Sequence, residues 1–158
     1  QFAAVGASAV SIAFGELYTA LQTGVVDGQE NPLDTIATMK YYEVQKNLVV
    51  TEHGVMEDVV LFNPGWWKSL PANHQQVIIK AFDEVRPDVE KNKEAAQQVA
   101  LETIRKAGVQ VRTADEAERQ RLGQAMYARS KAAYLERAAA AGQKVVGLYE
   151  TEIKRVGN

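Results

Sequence analysis

The sequence predicts an α/β fold, and three observations point there. Short runs rich in β-branched residues stand at 47–52 (NLVVTE), 58–62 (DVVLF) and 109–112 (VQVR), as strands require. Apolar residues recur at helical spacing through 71–107, and 113–140 opens on a capping signal and continues rich in alanine and arginine. With 158 residues, 46% of them hydrophobic and 24% charged, the chain suits one folded domain with a real core.

Taken in order, residues 2–5 read as the tail of a helix stopped by Gly6, with a strand near 9–13. Residues 15–23 place Leu17, Ala20 and Leu21 on one helical face, with Glu16 in the first turn, where the positive end of the helix favours an acid. Gly24 supplies a left-handed stop, Val25 and Val26 form a short apolar run, and Asp27-Gly28 signals a turn. Asn31 precedes Pro32, whose ring pushes it toward an extended backbone. Residues 35–46 form a mixed helical stretch, and the strand at 47–52 is interrupted by Gly54. The next run, 58–62, gives either a hairpin partner or the second half of one bent strand before Asn63-Pro64-Gly65 breaks the chain.

Pro71 stands at a helix start, where its missing N–H costs nothing, and Val77, Ile78, Ala81, Phe82, Val85 and Val89 follow at helical spacing. No stop signal intervenes before Gly108, so one long helix is expected over 71–107. Pro87 inside it removes a ladder hydrogen bond, a disruption of ~3 kcal/mol in an undistorted helix, and predicts a kink near 83–87. A helix that long with a polar middle suits a bridge between two bodies. The strand at 109–112 follows, then a capping box of Thr113 with Glu116, a helix to about residue 140, a break at Gly142 and a last helix over 143–156.

The net charge of −2 and the lack of a basic stripe argue against nucleic-acid binding. Without cysteine there is neither a disulfide framework nor a thiolate metal site. No segment approaches the ~20 apolar residues that span a bilayer, and the first twelve residues lack the pattern of a signal peptide.

The segment 15–33, GELYTALQTGVVDGQENPL, therefore reads as a polar site on a loop between helices. It resembles the signature of the solute-binding proteins of tripartite ATP-independent periplasmic (TRAP) transporters, of the DctP type. The resemblance continues through KYYEVQKNLVVTEH (40–53) and WWKSLPANHQQVI (66–78) and covers nearly the whole chain. It implies the C-terminal part of a two-lobe, type II periplasmic binding protein whose long kinked helix spans both lobes. On that reading 1–56 and 97–158 build the C-terminal lobe, and 57–96, with the first half of the long helix, belongs to the other. The implied function is periplasmic capture of a small organic carboxylate and delivery to the TRAP membrane permease, without catalysis or cofactor. The bent strand at 47–62 and a signal peptide upstream of these residues are likewise implied by the resemblance.

Five residues become candidates for ligand contact. Asn31 matches the family asparagine that offers its amide to the ligand carboxylate; its structural alternative is to cap the helix after Pro32 or to satisfy a turn. Glu30 repels an anion directly, and the resemblance gives it the task of orienting the arginine that clamps the carboxylate in a two-pronged geometry. That arginine lies upstream in the family, and the arginines of this chain, from Arg86 onward, all fall on later elements. Autonomous binding by these residues is therefore expected to be impaired. Phe14 matches an aromatic position that packs on the ligand, or else is a core residue. His53 aligns with a polar residue facing the cleft, and Asp58 is a better match to a specificity position than Glu57. Trp66 and Trp67 read as packing on a surface helix.

Enzymatic readings find no carrier: GxSxG, HExxH and a phosphate-cradling glycine loop are all missing, and His53 and His74 lack metal-ligand spacing. The acid pairs Glu57-Asp58 and Asp83-Glu84 are adjacent in sequence and do not face each other across a substrate. A rival reading is a helical adaptor built on 71–156, which calls for a sustained heptad seam; the apolar pattern after Glu90 is instead sparse. The apolar face at 77–85 with 59–62 should lack its cover, which predicts dimerisation through the 57–89 segment.

Overall fold

The computed structural model describes residues 1–54 and 59–156. In chain order these form 3-10 turns at Phe2–Val5 and Phe14–Glu16, helices α1 (Leu17–Gln22) and α2 (Leu33–Thr38), a 3-10 turn at Tyr41–Glu43, and strand β1 (Asn47–Val50). Helices α3 (Pro64–Ser69) and α4 (Ala72–Lys106), strand β2 (Gln110–Thr113) and helix α5 (Glu116–Val156) follow. β1 and β2 pair as a two-stranded sheet. The Gln110 N–H donates to the Lys46 carbonyl and the Ala114 N–H to the Val50 carbonyl, both at 2.9 Å. Both bonds share one offset along the chain, so the strands run parallel and require a crossover connection.

The chain divides into two compact units, one of residues 1–12, 50–53 and 113–158, the other of 13–49 and 54–112. The second contains the main core: Leu21, Ile36, Tyr41, Ile104 and Val109 are buried together, with Leu17, Leu33, Met39 and Leu48 packed around them. Tyr41 and Ile104 are fully enclosed. This core joins α1, α2, the Tyr41 turn, the C-terminal end of α4 and the approach to β2.

Proline and glycine punctuation sets the ends of α4. Pro71 precedes its first turn, and Gly108, at φ 85°, adopts the left-handed conformation that ends it after Ala107. Upstream, the Asn63 side chain caps α3 by accepting from the N–H groups of Gly65 (2.9 Å) and Trp66 (3.1 Å). The Gln75 amide donates to the carbonyls of Trp67 (2.9 Å) and Leu70 (3.1 Å), tying the end of α3 to the start of α4. Phe62 stacks on both Trp66 and Trp67 with ring centroids 5.4 and 5.0 Å apart, so the tryptophan pair packs locally. Along α4, Val77, Phe82, Val85 and Val89 are exposed, and the buried residues, Ala100 and Ile104, come only near its end.

In the first unit, Ala114 and Met126 are buried and α5 packs on the Phe2–Val5 turn. Arg119 bridges Glu52 (2.8 Å) and Glu116 (3.3 Å). Helix α5 is broken at Ala139, whose φ of 45° and ψ of −130° are not helical. Its second arm folds back on the first, so that Glu150 accepts from Lys131 (2.5 Å) and Tyr127 (2.9 Å).

Several local expectations change. Residues 9–13 form no strand and lead into the Phe14 turn; residues 59–62 form none either, and Val59 and Leu61 stand exposed. A β-branched run without a neighbour to pair with has no ladder to join. Thr113 belongs to β2, and the residue that caps α5 is Asp115, whose carboxylate accepts the Glu118 N–H at 2.7 Å. The helical break lies at Ala139 rather than Gly142. Gly142 is buried where the returning arm meets Ala138, and a Cβ there would sit 2.8 Å from the Ala138 Cβ.

Candidate functional site

The loop between α1 and α2 is built by its two ends. At the first, the chain turns back through Gly24 at φ 73°, and the N–H groups of Gly24 and Val25 donate to the carbonyls of Leu21 (3.3 Å) and Ala20 (2.9 Å). At the second, Pro32 adopts φ −57° and ψ 150°, and its carbonyl accepts the first helical bond of α2 from the Ile36 N–H at 3.0 Å. Asn31 lies half-buried between these anchors. Its amide donates to the Gln29 side-chain oxygen at 2.7 Å. An asparagine amide carries two N–H donors and an oxygen acceptor, so this bond fixes the head group and still leaves a second donor on the same nitrogen. Gln29 is a residue that sequence reasoning passed over. Its signal was its place two positions before Asn31 in a loop, the distance at which side chains of a tight turn meet.

The carboxylate of Asp34, in the first turn of α2, is held from α4. It accepts from the Lys93 ammonium at 2.5 Å through one oxygen and from the Gln97 amide at 2.7 Å through the other. Partial burial pushes its pKa up, but the Lys93 bond and charge, with the Gln97 and Thr35 N–H groups, outweigh this and hold the carboxyl below its ordinary 3.8. On the other side of the core, the Tyr18 hydroxyl donates to Glu43 at 2.8 Å and links α1 to the Tyr41 turn.

Of the expected contact residues, Glu30 and Asn31 share this loop, Glu30 exposed. Phe14 opens the 3-10 turn leading into α1, in the same compact unit, and is 55% exposed, so its ring is not a core residue. His53 lies in the other unit, where its Nδ1 is 2.6 Å from the Thr51 hydroxyl and its ring meets Phe2 edge-on at 5.3 Å. Asp58 and Glu57 lie outside the described residues. A shallow depression lined by Gln76, Val77, Ile79, Lys80 and Asp83 follows one face of α4 and includes none of these residues. Among the described residues, no group of three or more His, Cys, Asp or Glu could hold a metal ion, and no helix is long and apolar enough to cross a membrane.

Comparison with known proteins places this arrangement. Bacterial extracellular solute-binding protein, family 7 (DctP), matches residues 1–137. The sialic acid-binding periplasmic protein SiaP of Vibrio cholerae is 50% identical over 80 residues, 51% of this chain and 25% of that protein. The C4-dicarboxylate-binding periplasmic protein DctP of the same organism is 37% identical over 122 residues, 76% of this chain and 36% of that protein. Among solved structures, a TRAP periplasmic solute-binding protein of Desulfovibrio salexigens with bound orotic acid superposes with a TM-score of 0.92 at 61% identity, covering 98% of this chain and 50% of that one. The chain thus spans about half the length of that structure. All three relatives are described as binding proteins, not as enzymes.

Proposed function

The chain belongs to family 7 of the bacterial extracellular solute-binding proteins, the DctP family, and from that premise we propose that it binds a small organic carboxylate in the periplasm and delivers it to a TRAP membrane permease. Orotate is the first candidate ligand, because the relative that carries it shares 61% of its residues across 98% of this chain. That match is the observation supporting the reading most strongly. Asn31 donates its remaining amide N–H to the ligand carboxylate, an exchange that needs a neutral donor on a fixed head group. Phe14, exposed at the start of its turn, offers a ring face to the ligand, and Glu30 orients a clamping arginine contributed from outside these 158 residues. Residues 57–96 belong to the lobe that carries that arginine. The 158 residues alone bind weakly, since one charged half of the clamp is not among them, and their exposed apolar face at 59–89 favours self-association.

The test is calorimetry with orotate on a two-lobe version of the chain, completed by the matching other half of the Desulfovibrio salexigens protein. A hydrogen bond to a charged group contributes about 1.5–3 kcal/mol, so Asn31→Ala should weaken binding roughly tenfold or more while leaving the thermal midpoint in place. An unchanged dissociation constant removes Asn31 from the site. Failure of orotate, C4-dicarboxylates and sialic acid to bind the unmutated protein removes the carboxylate reading.

A further inference from the structure

The loop that presents Asn31 has little structure of its own. Residues 24–32 carry no regular ladder, and the element that follows, α2, has six residues, too few for a helix to be stable by itself. Its orientation must come from what it packs against, and that is α4. Ile36 enters the core beside Ile104, while Asp34 reaches Lys93 and Gln97.

Lys93 and Gln97 stand one helical turn apart and so share a face of α4. They take one carboxylate oxygen each, a two-point hold that fixes rotation as well as distance. The Asp34 side chain is 24% exposed and that of Lys93 52% exposed, so the pair is only partly screened by solvent. Residues 79–95 of α4 are exposed, and this contact is where the helix meets α2. Two residues, Pro32 and Leu33, separate Asn31 from Asp34, and the fixed φ of Pro32 passes on a rotation of α2 instead of absorbing it.

We propose that Lys93 and Gln97 are positioning residues for ligand binding: through the Asp34 carboxylate they make the long helix α4 set the direction in which Asn31 points. This rests on the assignment of Asn31 to the ligand and adds a second set of residues far from it in sequence. A local alternative exists, since an acid in the first turn of a helix stabilises that helix without any partner. The two differ in outcome. A purely local role makes Lys93 dispensable, and a purely structural one makes its loss independent of Asn31.

The experiment uses the same two-lobe version, with orotate as the probe. Lys93→Met and Asp34→Asn should each weaken binding about tenfold with the fold retained, and Lys93→Arg should recover much of the loss. In the Asn31→Ala background, Lys93→Met should cause no further loss, because the group it positions is gone. Unaltered affinity in Lys93→Met, or an equal loss in both backgrounds, overturns the proposal. Amide hydrogen exchange gives a readout that needs no ligand: Lys93→Met should speed exchange across residues 24–38 and leave the first half of α4 unchanged. If the unmutated protein does not bind orotate, the ligand assignment falls, and the exchange result alone decides whether α4 holds the loop. Unchanged exchange across 24–38 then overturns the inference.

Discussion

Replacing Gly142 by alanine is expected to destabilise the protein, although the same change elsewhere in α5 should stabilise it. Gly→Ala inside a helix ordinarily gains about 0.5–1 kcal/mol, because glycine loses more backbone entropy on folding. At Gly142 the new methyl would lie 2.8 Å from the Ala138 Cβ, 3.3 Å from Tyr134 Cε1 and 3.5 Å from Leu135 Cδ2. Carbon atoms rest about 3.5–4.0 Å apart, so the first contact is an overlap of more than half an ångström. Neither methyl has a torsion that could relieve it, since each is fixed to the backbone. Overpacking of this kind costs about 1–3 kcal/mol, which set against the helical gain leaves a net loss centred on about 1 kcal/mol and reaching about 2.5 kcal/mol. Gly123 and Gly147 lie in the same helix with nothing within 4 Å of the added atom, so they serve as internal controls and should gain stability on substitution. Urea unfolding followed by helical circular dichroism measures all three. For a chain of this size, each kcal/mol moves the thermal midpoint by roughly 2–4 °C, so the opposite signs are resolvable. Gly142→Ala matching Gly147→Ala in sign and size would refute the reasoning, and with it the close return of the second arm of α5.

Two further outcomes follow from buried and paired groups. Tyr41 is fully enclosed, burial raises its hydroxyl pKa, and no protein group among the described residues bonds to that hydroxyl. Tyr41→Phe should therefore be neutral or stabilising by about 1 kcal/mol, and a loss of more than that in denaturant unfolding would mean the hydroxyl has a partner. Because the folded-state pKa of Asp34 is depressed, its contribution to stability is present above the ordinary value of 3.8 and is lost as pH falls through the lower, folded value. The gap in thermal midpoint between the unmutated protein and Asp34→Asn should persist at neutral pH and close in acid, and a gap that stayed constant down to the acid limit would remove the Lys93 pairing as its source.

Features written in local chemistry were legible in the sequence. Proline and glycine act through their own backbone torsions, so the bounds expected for the long helix, 71–107, match Ala72–Lys106, and Gly6, Gly24 and Gly108 do end their elements at positive φ. The strand expected at 47–52 appears as Asn47–Val50 for a similar reason, β-branched residues flanked by turns. Features decided by contact were not legible. The break at Ala139 falls in an alanine run with no breaker, so residue type does not announce it. The capping signal in the sequence named Thr113, but Thr113 is held in β2 and Asp115, a residue that also caps helices, takes the role. At the candidate site, the loop and the amide before proline could be placed from sequence, whereas the hold on Asp34 joins residues 59 and 63 positions apart, beyond the reach of any periodicity.

The parallel pairing of β1 with β2 also constrains how the protein comes into being. β1 and β2 meet only by closing a loop of about 60 residues, the whole of α4 included, and until it closes β1 lacks the ladder that β2 supplies. During that interval its amides and carbonyls are open to any other extended segment. Refolding should accordingly be slowed by the meeting of these two short strands, and conditions that delay it, such as low temperature, should favour aggregates seeded at residues 47–50.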